Sequence, residues 1–201
     1  SYQAIYLSFK HVYKGMGLSP LSFEQVKKEI GLGLSKTFAD LLGEKKVEEA
    51  LRLFLEKYSE IYRENTFLLP GAQEVLETLH RWGIRLAIAT NKIGRFSRSI
   101  FRHFEMEQLF DAIVGDEDVS ENKPHPEMLF FAMEKMGLAK EVVILVGDSV
   151  TDIITAKNAG IRVFAVPTGV KKREDLEKEK PDIVLNSLPD LLSYIKPRRE
   201  R

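Results

Sequence analysis

The chain has 201 residues, 44% of them hydrophobic and 30% charged, with 30 basic and 30 acidic side chains and a formal net charge of +0. That balance describes a soluble globular protein with no excess charge for a nucleic-acid or acidic membrane surface, so neither partner is expected. The absence of cysteine excludes disulfides, thiol catalysis and Cys-ligated metals, and no run approaches a membrane span or opens as a signal peptide, which makes the cytoplasm the expected location.

Residues 1 to about 66 read as helical. Ile5, Phe9, Val12 and Met16 recur at helical spacing until Gly17 stops them. Ser22 with Gln25 forms a capping-box pattern ahead of the stripe Phe23, Val26 and Ile30. After Gly31 and Gly33, Phe38, Leu41 and Leu42 mark a third short helix, and Val47, Leu51, Phe54, Tyr58 and Ile61 make the longest stripe. The aromatic positions read as core rather than as a ligand box.

Pro70-Gly71 changes the pattern to alternating helix and strand, the signature of an α/β fold with a doubly wound parallel sheet. A helix carrying Val75, Leu76 and Leu79 ends at Gly83, and RLAIAT (85–90) is a strand. A helix around 100–104 and a short strand at 112–114 follow. Next comes a helix over 126–136, with Pro126 in its first turn and Gly137 as its stop. The run 142–146 (VVILV) is short and β-branched, and is expected to be a strand buried on both faces. The helical pattern Ile153, Ala156, Ala159 then closes at Gly160; a strand at 162–166, a loop at 167–169, a brief strand at 183–185 and a last helix at 188–195 complete the core. The closing KPRRER reads as a frayed, solvated end. The division is a helical cap at 1–68, an α/β core at 69–196 and a tail at 197–201.

Polar residues fall at the carboxyl ends of these strands, where open α/β sheets place their ligands. Asp148 ends one strand and Asp152 follows four residues later at a helix start, a spacing that lets two hard-oxygen donors converge on Mg²⁺; a plain helix N-cap is the competing job for Asp148. Thr90 ends RLAIAT and Asn91 follows it, so a hydroxyl and the next N–H can hold an oxyanion, or cap a helix. Lys123 in ENKPHPE stands before a helix, placed either to neutralise a phosphate or to point into solvent.

Together these residues resemble a family. Thr90 at a strand end, Lys123 in its KPxPE stretch, and VGDSVTD followed by AKNAG look like the second, third and fourth motifs of the haloacid-dehalogenase-like hydrolases, nearest to the phosphoglycolate-phosphatase branch. The resemblance implies a Rossmannoid core with a helical cap inserted after the first strand. It also implies a Mg²⁺-dependent phosphatase acting on a small phosphorylated metabolite, phosphoglycolate-like, as a monomer or homodimer. Thr90, Asn91 and Lys123 would then act on the phosphoryl oxygens, with Asp148 and Asp152 at the metal. Asp148 is the more direct ligand, while Asp152 orients the shell and pairs with Lys123.

The family's first strand ends in a DxDGT loop that supplies the attacking carboxylate and the general acid/base. The chain opens SYQAIYLSFK, which matches the helix after that loop, and GDED at 115–118 lies after a later strand. The first, central strand is therefore expected to be absent from this sequence, and the chain to be an incomplete, inactive copy lacking roughly ten to twenty residues. Unpaired backbone groups would line the slot, each costing about 1–3 kcal/mol. Two other readings stand beside the phosphatase. One is a phosphosugar mutase of the same family, disfavoured because GLGLSKTF offers only Lys36 where an Arg is usual; the other is a non-catalytic scaffold lacking the nucleophile.

Overall fold

A computed structural model of the chain describes residues 1–195; the closing KPRRER lies outside them. Two compact units divide the chain, Ser1–Phe67 and Leu68–Arg201.

The first unit holds four helices, α1 (Tyr2–Gly15), α2 (Phe23–Glu29), α3 (Leu34–Leu42) and α4 (Val47–Ile61). Its core is made by the stripes read in the sequence: Phe9, Val12, Phe38, Phe54 and Tyr58 are all buried. The rings of Phe9 and Phe38 lie 4.9 Å apart, and Phe54, Tyr58 and Tyr62 stack at 5.2 and 5.6 Å, so the aromatic stripe serves packing. The Ser22 capping box is formed, with Gln25 N–H donating to Ser22 Oγ at 3.2 Å and Ser22 N–H to Gln25 Oε1 at 2.8 Å.

The second unit runs α5 (Ala72–Arg81), β1 (Ala87–Ala89), α6 (Gly94–His103), β2 (Ala112–Val114), α7 (Glu127–Met136), β3 (Ile144–Gly147), α8 (Val150–Ala159), β4 (Arg162–Ala165), α9 (Arg173–Lys178) and β5 (Ile183–Val184). All strand pairs are parallel, β1 with β2 and β3 with β4 with β5. Gly137 and Gly160 end α7 and α8 in the left-handed region, at φ 61° and 69°, the conformation that glycine adopts without a Cβ penalty. Three details differ from the sequence reading. The last helix is a 3₁₀ stretch, Leu188–Ser193, and α9 carries too short an apolar pattern to have been seen. The strand expected from residue 142 starts at Ile144, because Lys140–Val142 form a 3₁₀ turn that leaves Val142 67% exposed.

Helices cover both faces of the strands. On one, Val163 and Ala165 of β4 pack with Ile153 and Ala156 of α8 and Leu129 of α7, joined by Ala89 and Leu145. On the other, Phe164 and Val166 pack with Val75 and Leu79 of α5, joined by Leu86, Ile144 and Val146. Alternate residues of β1, β3 and β4 thus share the same two faces, as in one doubly wound layer. Yet β1 and β3 have no partner strand on their remaining edges among the described residues.

Those edges can be assigned. Thr90 N–H donates to Val114 O, so even residues of β1 face β2 and the backbone groups of Ala87 and Ala89 point away. Val166 N–H donates to Gly147 O, so those of Ile144 and Val146 point away from β4. Every residue of β1 and β3 is only half-buried, whereas Val163, Phe164 and Ala165 of β4 are buried. The strand is thus covered on both faces from Ile144 on, as expected, but stays half-buried because its edge away from β4 has no neighbour among the described residues.

Candidate functional site

The site residues gather where β1 and β3 end. After β3, α8 is capped by Ser149: its Oγ accepts from Asp152 N–H at 3.1 Å and lies 2.6 Å from Asp152 Oδ2. Asp148 is therefore not the N-cap, and its carboxylate has no helix-starting task. Asp152 closes the reciprocal half of the box, accepting from Ser149 N–H at 3.2 Å. Gly147 makes room for it, since a Cβ there would come within 2.6 Å of Asp152 Cγ and 2.8 Å of its Oδ2.

Lys123 reaches into this corner from the loop before α7. Its ammonium donates to Asp152 Oδ1 at 2.7 Å and to Ala89 O, at the end of β1, at 2.9 Å. Its side chain is only 11% exposed and that of Asp152 10%, so the solvent-facing alternative for Lys123 falls away. Burial works to raise the Asp152 carboxyl, but the Lys123 charge and the hydrogen bonds from Lys123 and Ser149 outweigh it and hold it below the ordinary range.

Asp148 has the opposite balance. Burial and the neighbouring Asp152 charge push its carboxyl up, with Lys123 only partly opposing them. Gly169, in the loop after β4, stands against it: a Cβ there would lie 2.7 Å from Asp148 Oδ2 and 2.8 Å from its Cγ. The two acidic groups therefore differ in availability. Asp152 has both oxygens engaged by Lys123 and Ser149, while Asp148 holds a half-buried, destabilised negative charge in a space that a glycine keeps clear.

Thr90 Oγ1 accepts from Lys92 N–H at 3.1 Å, a turn that leaves its O–H proton as the group it offers a ligand. Helix α6 starts later, at Gly94, so Thr90 is not its cap. The Asn91 side chain has a task that sequence reading missed: Nδ2 donates to Lys123 O at 3.0 Å and Oδ1 accepts from Lys123 N–H at 2.9 Å. Ser149 and Gly169 were also missed, and of the two only Ser149 had a signal, its three-residue spacing from Asp152.

Among the described residues no group of three or more His, Cys, Asp or Glu stands together as a metal cage. Magnesium does not need one; it keeps several waters and takes one or two carboxylates. The uncommitted, charge-bearing oxygens of Asp148, cleared by Gly169, fit one such ligand. No helix of the described residues is long and apolar enough to cross a membrane.

Residues 1–166 match the sequence model of the haloacid dehalogenase-like hydrolases. The chain is 33% identical to phosphoglycolate phosphatase 1 of Pseudomonas aeruginosa over 185 residues, 88% of this chain and 68% of that protein. It is also 33% identical to the phosphoglycolate phosphatase of Escherichia coli K12 over 153 residues, 76% of this chain and 61% of the relative's length. A haloacid dehalogenase-like family hydrolase from Streptococcus pneumoniae superposes with a TM-score of 0.86 at 25% identity, covering 96% of this chain and 90% of that one. Sequence and fold agree, and the chain belongs to the haloacid dehalogenase-like hydrolases, in their phosphoglycolate-phosphatase-type branch.

Proposed function

We propose that the chain is the cap and core of a Mg²⁺-dependent phosphatase that hydrolyses a small phosphate monoester, phosphoglycolate-like, through an aspartyl-phosphate. The attacking carboxylate comes from outside residues 1–201. The observation that carries this reading is the pairing of a clamped cation with an uncommitted anion: Lys123 fixed on Ala89 O and Asp152, beside a half-buried Asp148 that neither Lys123 nor Ser149 engages.

Each residue's part follows from its charge and anchoring. Lys123 presents an ammonium that cannot swing away, and Thr90 donates its hydroxyl proton; both stabilise the non-bridging oxygens on which charge sits in the transition state. Asp152 keeps Lys123 in place. Asp148 is the carboxylate that would hold Mg²⁺, whose charge screens the repulsion between an anionic nucleophile and a phosphate. The open edges of β1 and β3 support a missing central strand, which would end next to Thr90, Lys123 and Asp148.

The test is hydrolysis of p-nitrophenyl phosphate and phosphoglycolate with and without Mg²⁺. The chain as it stands is expected to be inactive. A protein in which an apolar strand ending in DxDGT precedes Tyr2 is expected to turn both over in a Mg²⁺-dependent way. Turnover by the chain alone, or none by the extended protein, would overturn the proposal.

A further inference from the structure

The Lys123-Pro124 dipeptide is held from more sides than its ammonium contacts require. Asn91 takes both main-chain groups of Lys123 with one side-chain amide, at 2.9 and 3.0 Å. From the other side, Asn158 Nδ2 donates to Pro124 O at 2.9 Å. Asn158 belongs to α8, the helix whose first turn carries Asp152. Six residues separate Asp152 from Asn158, about 9 Å along a helix axis. One rigid element therefore grips the segment twice, at the tip of the Lys123 side chain and at the carbonyl of the next residue, Pro124.

We infer that Asn158 is a positioning residue for Lys123. It touches no reacting atom; it fixes the main chain from which the ammonium is extended, in register with the carboxylate that holds the tip. A lysine stem has four rotatable bonds, so the place of its ammonium depends on how firmly the main chain is held; Asn91 holds that chain from one element and Asn158 adds a hold from α8. Anchoring both ends confines the ammonium to one place, and a displacement on the order of 1 Å in such a group is enough to cost about 100-fold in rate. The inference rests on the phosphatase reading for its catalytic consequence, but not for the anchoring itself.

Two measurements separate these. In the chain as it stands, amide hydrogen exchange of Lys123 N–H is followed by NMR in the parent and in Asn158→Ala. Alanine is the better helix former, so the variant is expected to fold with an unchanged Tm. Loss of the Pro124 anchor is expected to speed exchange at Lys123 at least 10-fold while the amides of β4 are unaffected. Unchanged exchange at Lys123 would overturn the inference whatever the enzyme does. In the extended, DxDGT-bearing protein, Asn158→Ala is expected to lower kcat on p-nitrophenyl phosphate about 10-fold with KM nearly constant. Asn158→Gln, which keeps the donor amide, should recover part of it. A lowered Tm with kcat intact would mark a merely structural bond and overturn the positioning role. Faster exchange at Lys123 in a protein with no turnover at all would instead sink the phosphatase reading and leave the anchoring standing without its catalytic consequence.

Discussion

Lys123 Nζ stands 2.7 Å from Asp152 Oδ1, and each side chain is about nine-tenths buried. The pair spans 29 residues of sequence and ties the loop before α7 to the first turn of α8. Removing either partner strands the other charge in a poorly hydrated corner, which typically costs about 3–5 kcal/mol. Lys123→Met is therefore expected to lower unfolding free energy by that order in urea titrations. A loss under about 1 kcal/mol would mean that water replaces the ammonium at little cost.

The same pair sets a pH dependence. The Asp152 carboxyl is lower in the folded chain than its ordinary value of 3.8. Its stabilisation is therefore fully present above the unfolded value and is lost as pH falls through the folded one. The stability gap between the parent and Asp152→Asn should stay constant from pH 7 to about 4 and close only below it. A gap that closes between pH 7 and 5 would contradict the assignment.

Asp148 behaves in the opposite sense. Its carboxyl is raised above 3.8, by burial first and then by Asp152, so its ionised form is a burden on the folded chain at neutral pH. That burden lifts as pH falls through the folded value towards the unfolded one. Without metal, Asp148→Asn is expected to gain about 0.5–2 kcal/mol at pH 7, a common result of relaxing a functional site. The same change should abolish activity in the extended protein. A loss of stability at pH 7 would show that the charge is structurally needed.

The open edges make a prediction about dynamics. The amides of Ala87, Ala89, Ile144 and Val146 point away from the strands that pair with β1 and β3 among the described residues. The amides of β4, paired on both sides, should exchange with solvent at least 100-fold more slowly in native-state measurements. Equal protection would mean that the gap between the two sheets is closed in solution.

Much of the architecture is legible in the sequence alone. Period-3.6 stripes located α1 to α4, and Gly137 and Gly160 marked the ends of α7 and α8 because few other residues adopt a positive φ without strain. The cores of the strands were found, but all except the strand at 112–114 had an end misplaced by one or two residues. Apolar character does not distinguish a ladder residue from a neighbouring turn residue, as Val142 demonstrates. The five site positions were picked out because each follows or precedes an apolar run in an alternating pattern, which puts polar side chains at strand ends.

Their roles were only partly separable in one dimension. The sequence by itself determined which residues are charged, which faces are apolar and that Thr90, Lys123, Asp148 and Asp152 stand at or near strand ends of an alternating α/β pattern. Tertiary structure decided the rest. It gave Asp152 to Ser149 and Lys123, left Asp148 uncommitted, turned the Asn91 side chain onto the Lys123 main chain and brought Asn158 to Pro124. These assignments rest on hydrogen bonds of 2.6–3.2 Å, mostly between residues some 30 positions apart. No local pattern encodes such distances; the packing of α8 and α7 on a common sheet face does.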